Sequence, residues 1–249
     1  SSGQVHIRQN TGIVSEGRQQ VMICIPVVAQ DNEEALKQME RAFPLADIVE
    51  LRIDSIKQVN LKQLLSASRE KVLVTNRKRD EGGYFAGEEN ARVDLLREAV
   101  ILGADYVDME MNTERIFIEE IIKTIEKYNH RTKLIVSHHD FNGTPAYTRL
   151  LDIYNECTGK GADIVKVVTF ANLMEDNLVI LQLVNYVRKL KRDIIAFCMG
   201  SEGRVSRVAA PLLGSYLSFA SLEAGTQSAP GQLTVKETKV IDTILHHEK

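Results

Sequence analysis

Short apolar runs rich in β-branched residues alternate along the chain with segments of helical spacing. The runs are Val21–Val27, Asp47–Ile53, Lys71–Asn76, Ala104–Glu110, Lys133–Ser137, Ala162–Val168, Ile194–Met199 and Ser215–Ala220. Helical spacing fills Asn32–Ala42, Leu61–Ser68, Asn90–Leu102, Glu114–Tyr128, Ala146–Thr158, Leu173–Leu190, a short piece near Arg204–Ala210, and Thr234–His246. Such alternation predicts parallel strands joined by right-handed crossovers. Eight units in 249 residues match the size of a closed (β/α)8 TIM barrel. A doubly wound sheet would usually carry a glycine-rich first turn, and Val28-Ala29-Gln30-Asp31 has no glycine. The expectation is one barrel domain over residues 19–249. Residues 1–18, with alternating Val5-His6-Ile7-Arg8 and a turn at Asn10-Thr11-Gly12, predict an N-terminal β-hairpin that closes its bottom.

Polar residues interrupt these runs on one parity. Glu50, Arg52 and Asp54 share a face of the second run, and Thr75 and Arg77 follow on the third. Asp108 and Glu110 share a face of the fourth, Ser137 and His139 of the fifth, and Lys166 interrupts the sixth. The outer face of a barrel strand packs on helices, so these residues converge on the C-terminal mouth, where barrel active sites form. Lys166 lies in the apolar run Asp163–Thr169. A lysine there either snorkels to water or works as an amine, because burial disfavours the ammonium and a free amine attacks carbonyls. His139 suits general acid/base work near neutral pH. Glu81, ahead of Gly82-Gly83, offers a carboxylate to orient it. Arg52, Arg77 and Arg207 supply forked donors for a carboxylate or hydroxyls.

Composition narrows the partners. The hydrophobic fraction is 44% and the charged fraction 26%, as in ordinary globular chains. A formal charge of -3 gives no electrostatic case for nucleic acid or an anionic membrane. No run is long and apolar enough to span a bilayer, no secretory leader is read, and a cytoplasmic setting is the default. Cys24, Cys157 and Cys198 have neither zinc nor disulfide spacing. Glu50, Asp54, Asp108, Glu110 and His139 are oxygen and nitrogen ligands in principle, but a lysine and two arginines beside them repel a cation, so no metal is expected. The Gly200-Ser201-Glu202-Gly203 turn is too short and acidic for a phosphate loop. Gly225–Gln232 reads as a mobile loop at the mouth.

Seven segments together resemble type I 3-dehydroquinate dehydratase, a Schiff-base-forming barrel of the shikimate pathway. They are Val49–Asp54, Arg77–Gly83, Asp105–Glu110, Ser137–Phe141, Gly161–Lys166, Met199–Gly200 through Ser206-Arg207, and Ser228–Gln232. The resemblance implies that Lys166 forms an imine with the C3 ketone of 3-dehydroquinate. It implies that His139 removes a C2 proton and protonates the departing C1 hydroxyl, and that Glu81 positions His139. Glu50, Arg52, Arg77, Arg207, Ser228 and Gln232 become substrate contacts, with Arg207 at the carboxylate, and Met199 lines the pocket. The resemblance implies no cofactor and a homodimer. Two departures are visible: Phe197 where some members carry methionine, and Cys24 near a serine position. The alternatives are a class I aldolase-type imine barrel and a non-catalytic binding barrel.

Overall fold

The computed structural model describes residues 21–246, so the predicted hairpin at 1–18 lies outside the described residues. The strands are β1 (Ile23–Val27), β2 (Ile48–Arg52), β3 (Lys71–Thr75), β4 (Tyr106–Glu110), β5 (Lys133–His139), β6 (Ile164–Phe170), β7 (Asp193–Met199), β8 (Ser218–Ser221) and β9 (Leu233–Thr234). The helices are α1 (Asn32–Ala42), α2 (Leu61–Ser66), α3 (Glu89–Ile101), α4 (Arg115–Tyr128), α5 (Tyr147–Gly159), α6 (Asp176–Lys189), α7 (Arg204–Leu212) and α8 (Val235–His246). One parallel sheet runs in the order β7-β6-β5-β4-β3-β2-β1-β8-β9. It curls in the manner of a TIM barrel.

The expected ladder closure between the seventh and eighth strands is reduced to a seam. Tyr216 N–H donates to Ile194 O (2.7 Å), and the Phe197 and Phe219 rings meet across the gap at 6.0 Å between centroids. The chain is drawn tight just before β8, where Ser215 N–H bonds Ala210 O, so that strand starts three residues later than its apolar run. β9 was not expected. Its two residues pair with Ala220 and Ser221, a stretch too short to carry an alternation signal.

Strand parity sorts the core into two clusters. Ile25, Val27, Val49, Leu51, Val74, Val107, Met109, Val136, Val165 and Val167 face the helices. Cys24, Ile48, Leu73, Tyr106, Ile135, Ile164, Ile195 and Leu217 fill the inside, low in the barrel. The inward residues two positions further along β2 to β6 are polar: Glu50, Thr75, Asp108, Ser137 and Lys166. All five are buried.

A short repeated segment sets this registration. Ala46-Asp47-Ile48-Val49-Glu50, Ala104-Asp105-Tyr106-Val107-Asp108 and Ala162-Asp163-Ile164-Val165-Lys166 share one pattern. In each, the aspartate accepts from the residue of the preceding strand just before the first pair of that ladder: Ile23 N–H to Asp47 (2.7 Å), Val72 N–H to Asp105 (2.9 Å) and Leu134 N–H to Asp163 (2.8 Å). The aspartate's own N–H returns to a carbonyl of that same strand. Each clamp fixes where an even strand begins, and a one-residue slip would turn its third following residue out of the barrel. Glu50, Asp108 and Lys166 are those third residues.

Asp163→Ala leaves the Leu134 N–H without its acceptor. It is expected to cost about 1–3 kcal/mol, measured by urea denaturation, while Asp163→Asn, which keeps an acceptor, should cost less than half as much. Equal stability of all three proteins would remove the clamp from the account.

Candidate active site

Asp108 lies at the centre of the polar layer. Its Oδ2 accepts from Arg77 Nη2 (2.8 Å) and Lys166 Nζ (3.2 Å), and its Oδ1 accepts from Ser137 Oγ (2.6 Å). Burial penalises this carboxylate, yet Arg77 and Lys166 outweigh that and hold it well below the usual carboxylate range. Arg77 also donates through Nη1 to Ser137 Oγ (2.7 Å) and Glu110 Oε1 (3.2 Å). Lys166 is 5% exposed, with Nζ 4.7 Å from the centre of the Phe219 ring. It does not snorkel to water. Its amine is held inside the mouth between a carboxylate and an aromatic face.

His139 ends β5 on the same inward parity. Its Nδ1 lies 2.9 Å from Glu81 Oε2, and Phe141 stacks against the ring. The backbone after β3 explains where Glu81 stands. A single 3-10 turn, Arg79–Glu81, ends at Gly82 in the left-handed region (φ 80°), against the Phe141 ring. A Cβ on Gly83 would lie 2.1 Å from Arg77 O, so only glycine lets the chain fold back onto the end of β3.

Burial, then the Arg77 and Lys166 cations, pushes His139 well below its ordinary value, with Asp108 opposing. Burial pushes Glu81 up to about 8; Glu110, Asp108 and Asp80 add to this and Arg77 opposes it. Its second oxygen, Oε1, is buried without a hydrogen-bond partner among the described residues, which adds to the cost of the charged form. When the neutral imidazole donates its Nδ1–H to the Glu81 carboxylate, Nε2 keeps a free lone pair, so the state able to accept a proton is the one in which Glu81 is ionised.

The remaining predicted residues fall around these. Glu50 accepts from Thr75 Oγ1 (2.8 Å), and Arg52 grips Asp54 with two bonds of 2.9 and 2.8 Å. Arg52 therefore arrives partly committed, with Asp54 also accepting from Tyr84 N–H. Met199 packs in the inner apolar cluster beside Phe197. Ser228 and Gln232 bond each other, with Ser228 N–H donating to Gln232 Oε1 (2.8 Å). Their loop is seated on the end of β7, where Gly200 N–H donates to Pro230 O and a Cβ on Gly231 would strike Gly200 O at 2.1 Å.

Arg207 comes from α7 rather than from a strand. Its guanidinium reaches the inner-face Phe197 ring (4.3 Å) and donates to Pro230 O (3.1 Å). It is buried, its Nε has no partner, and no carboxylate among the described residues pairs with it. Burial lowers it to about 10. A buried cation without a counter-ion is costly and suits an incoming anion. Asp108, Ser137 and Phe219 had no assigned role in the sequence reading, although strand parity placed the first two in the mouth. Among the described residues no cluster of His, Cys, Asp and Glu is arranged to hold a metal ion.

The family model for type I 3-dehydroquinase matches residues 23–249. The chain belongs to the type I 3-dehydroquinase family. It is 37% identical to the 3-dehydroquinate dehydratase of Methanocaldococcus jannaschii over 220 residues, covering 88% of this chain and 97% of that one. Among solved structures, it is similar to the 3-dehydroquinate dehydratase of Geobacillus kaustophilus. The TM-score is 0.83 at 30% identity, over 90% of this chain and 91% of the other. It is equally similar in fold to the type I enzyme of Clostridium difficile, solved with covalently modified comenic acid, with TM-score 0.83 at 28% identity over 92% and 94%.

The lowered His139 basicity has a definite sign. The neutral imidazole is favoured, so the ring takes up its proton only when the pH falls well below 6.5. An NMR titration of the substrate-free protein should show a His139 midpoint under that value; a midpoint at or above it contradicts the electrostatic description.

Proposed function

We propose that this protein converts 3-dehydroquinate to 3-dehydroshikimate, with Lys166 as imine-forming nucleophile, His139 as proton carrier, and Glu81 as its positioning partner. One observation carries the reading. A buried amine, a part-buried histidine beside a buried carboxyl group, and a buried arginine with no carboxylate partner among the described residues gather at one end of a single barrel.

The chemistry fits these groups. The Lys166 amine adds to the C3 ketone and water leaves, giving a protonated imine. This is an electron sink, so a C2 proton becomes acidic enough for His139 to remove, leaving an enamine. The enamine expels the C1 hydroxyl, which takes the proton from the same imidazolium, so both losses occur on one face. Water then releases the product and returns the amine. Asp108, 3.2 Å from Nζ, stabilises positive charge at that nitrogen through the ammonium and imine stages. Arg207 suits the substrate carboxylate, and Glu50, Arg52, Arg77, Ser228 and Gln232 suit its hydroxyls, with Met199 as pocket wall. No organic cofactor or metal enters the sequence of steps.

A homodimer, implied by the resemblance, and the cytoplasmic setting read from the composition belong to the same proposal. Leu173, Met174 and Leu178 lie exposed near the start of α6, apolar surface of the kind a second copy would cover.

Adding dehydroquinate to the protein should produce the absorbance of a conjugated enone. His139→Ala should slow this by roughly 10²–10⁴-fold, and Lys166→Ala should abolish it. Carbon–carbon cleavage products without enone would favour an aldolase, and binding without turnover would favour a silent barrel.

Arg207→Leu should raise KM for dehydroquinate at least tenfold while leaving kcat less affected. An unchanged KM in steady-state kinetics would remove the carboxylate contact from this reading.

A further inference from the structure

Arg92 lies on α3, outside the sheet, and has no solvent-accessible surface. It joins three stretches of chain. Nη1 donates to Asn76 O (3.0 Å) just after β3, Nη2 donates to Thr113 Oγ1 (3.1 Å) after β4, and Nε and Nη2 fork onto Glu89 at 2.9 and 2.8 Å. Its Nη1 also lies 2.7 Å from Glu110 Oε2. That oxygen has no aligned hydrogen bond, so the contact is a charge interaction.

Glu110 faces the site with its other oxygen, which accepts from Arg77 Nη1 (3.2 Å) and Lys78 N–H (3.0 Å). A continuous chain of charge thus runs Arg92–Glu110–Arg77–Asp108–Lys166 from behind the sheet to the amine. Arg77 forms ion pairs with both Asp108 (2.8 Å) and Glu110 (3.2 Å), and the pair with Glu110 is the longer of the two. A buried carboxylate deprived of one cation draws harder on the other.

We propose that Arg92 is a positioning residue of the site: by neutralising Glu110 from outside the barrel, it leaves the Arg77 guanidinium committed to Asp108 and Ser137. Its effect on turnover rests on the function proposed above; its effect on the resting site does not.

The His139 ring reports the balance. Facing it are Glu81 from the turn after β3, Arg77 from the end of β3, Lys166 from β6, Asp108 from β4 and Arg52 from β2. With Arg92 gone, the negative field of Glu110 is less cancelled and the imidazolium is less disfavoured. With Glu110 gone, the opposite holds.

The experiment is NMR titration of His139 without substrate in four proteins: wild type, Arg92→Met, Arg92→Met/Glu110→Gln and Glu110→Gln. Arg92→Met should move the midpoint up by about half a unit or more, and the double variant should bring it back, since paired opposite charges are removed together. Glu110→Gln alone should move it down, which keeps the proposal testable if Arg92→Met does not fold. In turnover, Arg92→Met should lose roughly 10- to 100-fold in kcat/KM, the scale set by small misplacement of a substrate-contacting group. A folded Arg92→Met with the wild-type midpoint overturns the proposal. So does an equal displacement in the single and double variants, which is what a merely structural disturbance would give, or an unmoved midpoint in Glu110→Gln. Absence of dehydratase turnover in the wild type would instead sink the proposed function and leave the titration standing.

Discussion

The site depends on one carboxylate shared by two cations. Asp108 binds Arg77 and Lys166 through a single oxygen, at 2.8 and 3.2 Å, and Ser137 through the other. Ions taken out of water cost several kcal/mol each, so such a group persists only when fully paired. Pairing fixes the geometry as well as the charge. Arg77, held at β3, and Lys166, on β6, are brought to a common point across β4 and β5. His139, two positions beyond Ser137 on β5, then stands over two cations and stays neutral. A neutral base beside a buried amine is the combination that carbonyl chemistry through an imine requires.

Much of this was legible along the chain because strand parity is a strict rule. Once Val49, Leu51, Val107 and Val165 are assigned to the helix-facing side, Glu50, Arg52, Asp108 and Lys166 have nowhere to point except inward. Seven of the eight expected helices begin within one residue of their predicted starts; at α1 the signal is a cap, where the Asp31 side chain accepts from Glu34 N–H. The threefold Ala-Asp pattern was there to be read as well. Its meaning became plain only when each aspartate was seen to hold the preceding strand.

Other features have no local signature. Arg207 reaches the Phe197 ring and Pro230 from a helix, beside the seam that β7 and β8 leave between them, and neither parity nor periodicity announces such an entry. Arg92 reads as an ordinary helical arginine, yet it is fully buried because Glu110, Asn76 and Thr113 surround it only in three dimensions. Of the two family departures, Phe197 gains a purpose: its ring lies under the Arg207 guanidinium, which pairs with no carboxylate among the described residues. Cys24 is wholly buried low in the barrel, where burial first and Glu50 next push its thiol well up, so it remains a protonated core residue.

The proposed chemistry makes Lys166 Nζ the atom that becomes covalently bound. Borohydride reduction in the presence of dehydroquinate, followed by peptide mass spectrometry, tests this directly. The predicted result is a reduced adduct on Lys166, formed also in His139→Ala because imine formation precedes proton abstraction. An adduct on another residue, or none from an enzyme that is turning over, would contradict it.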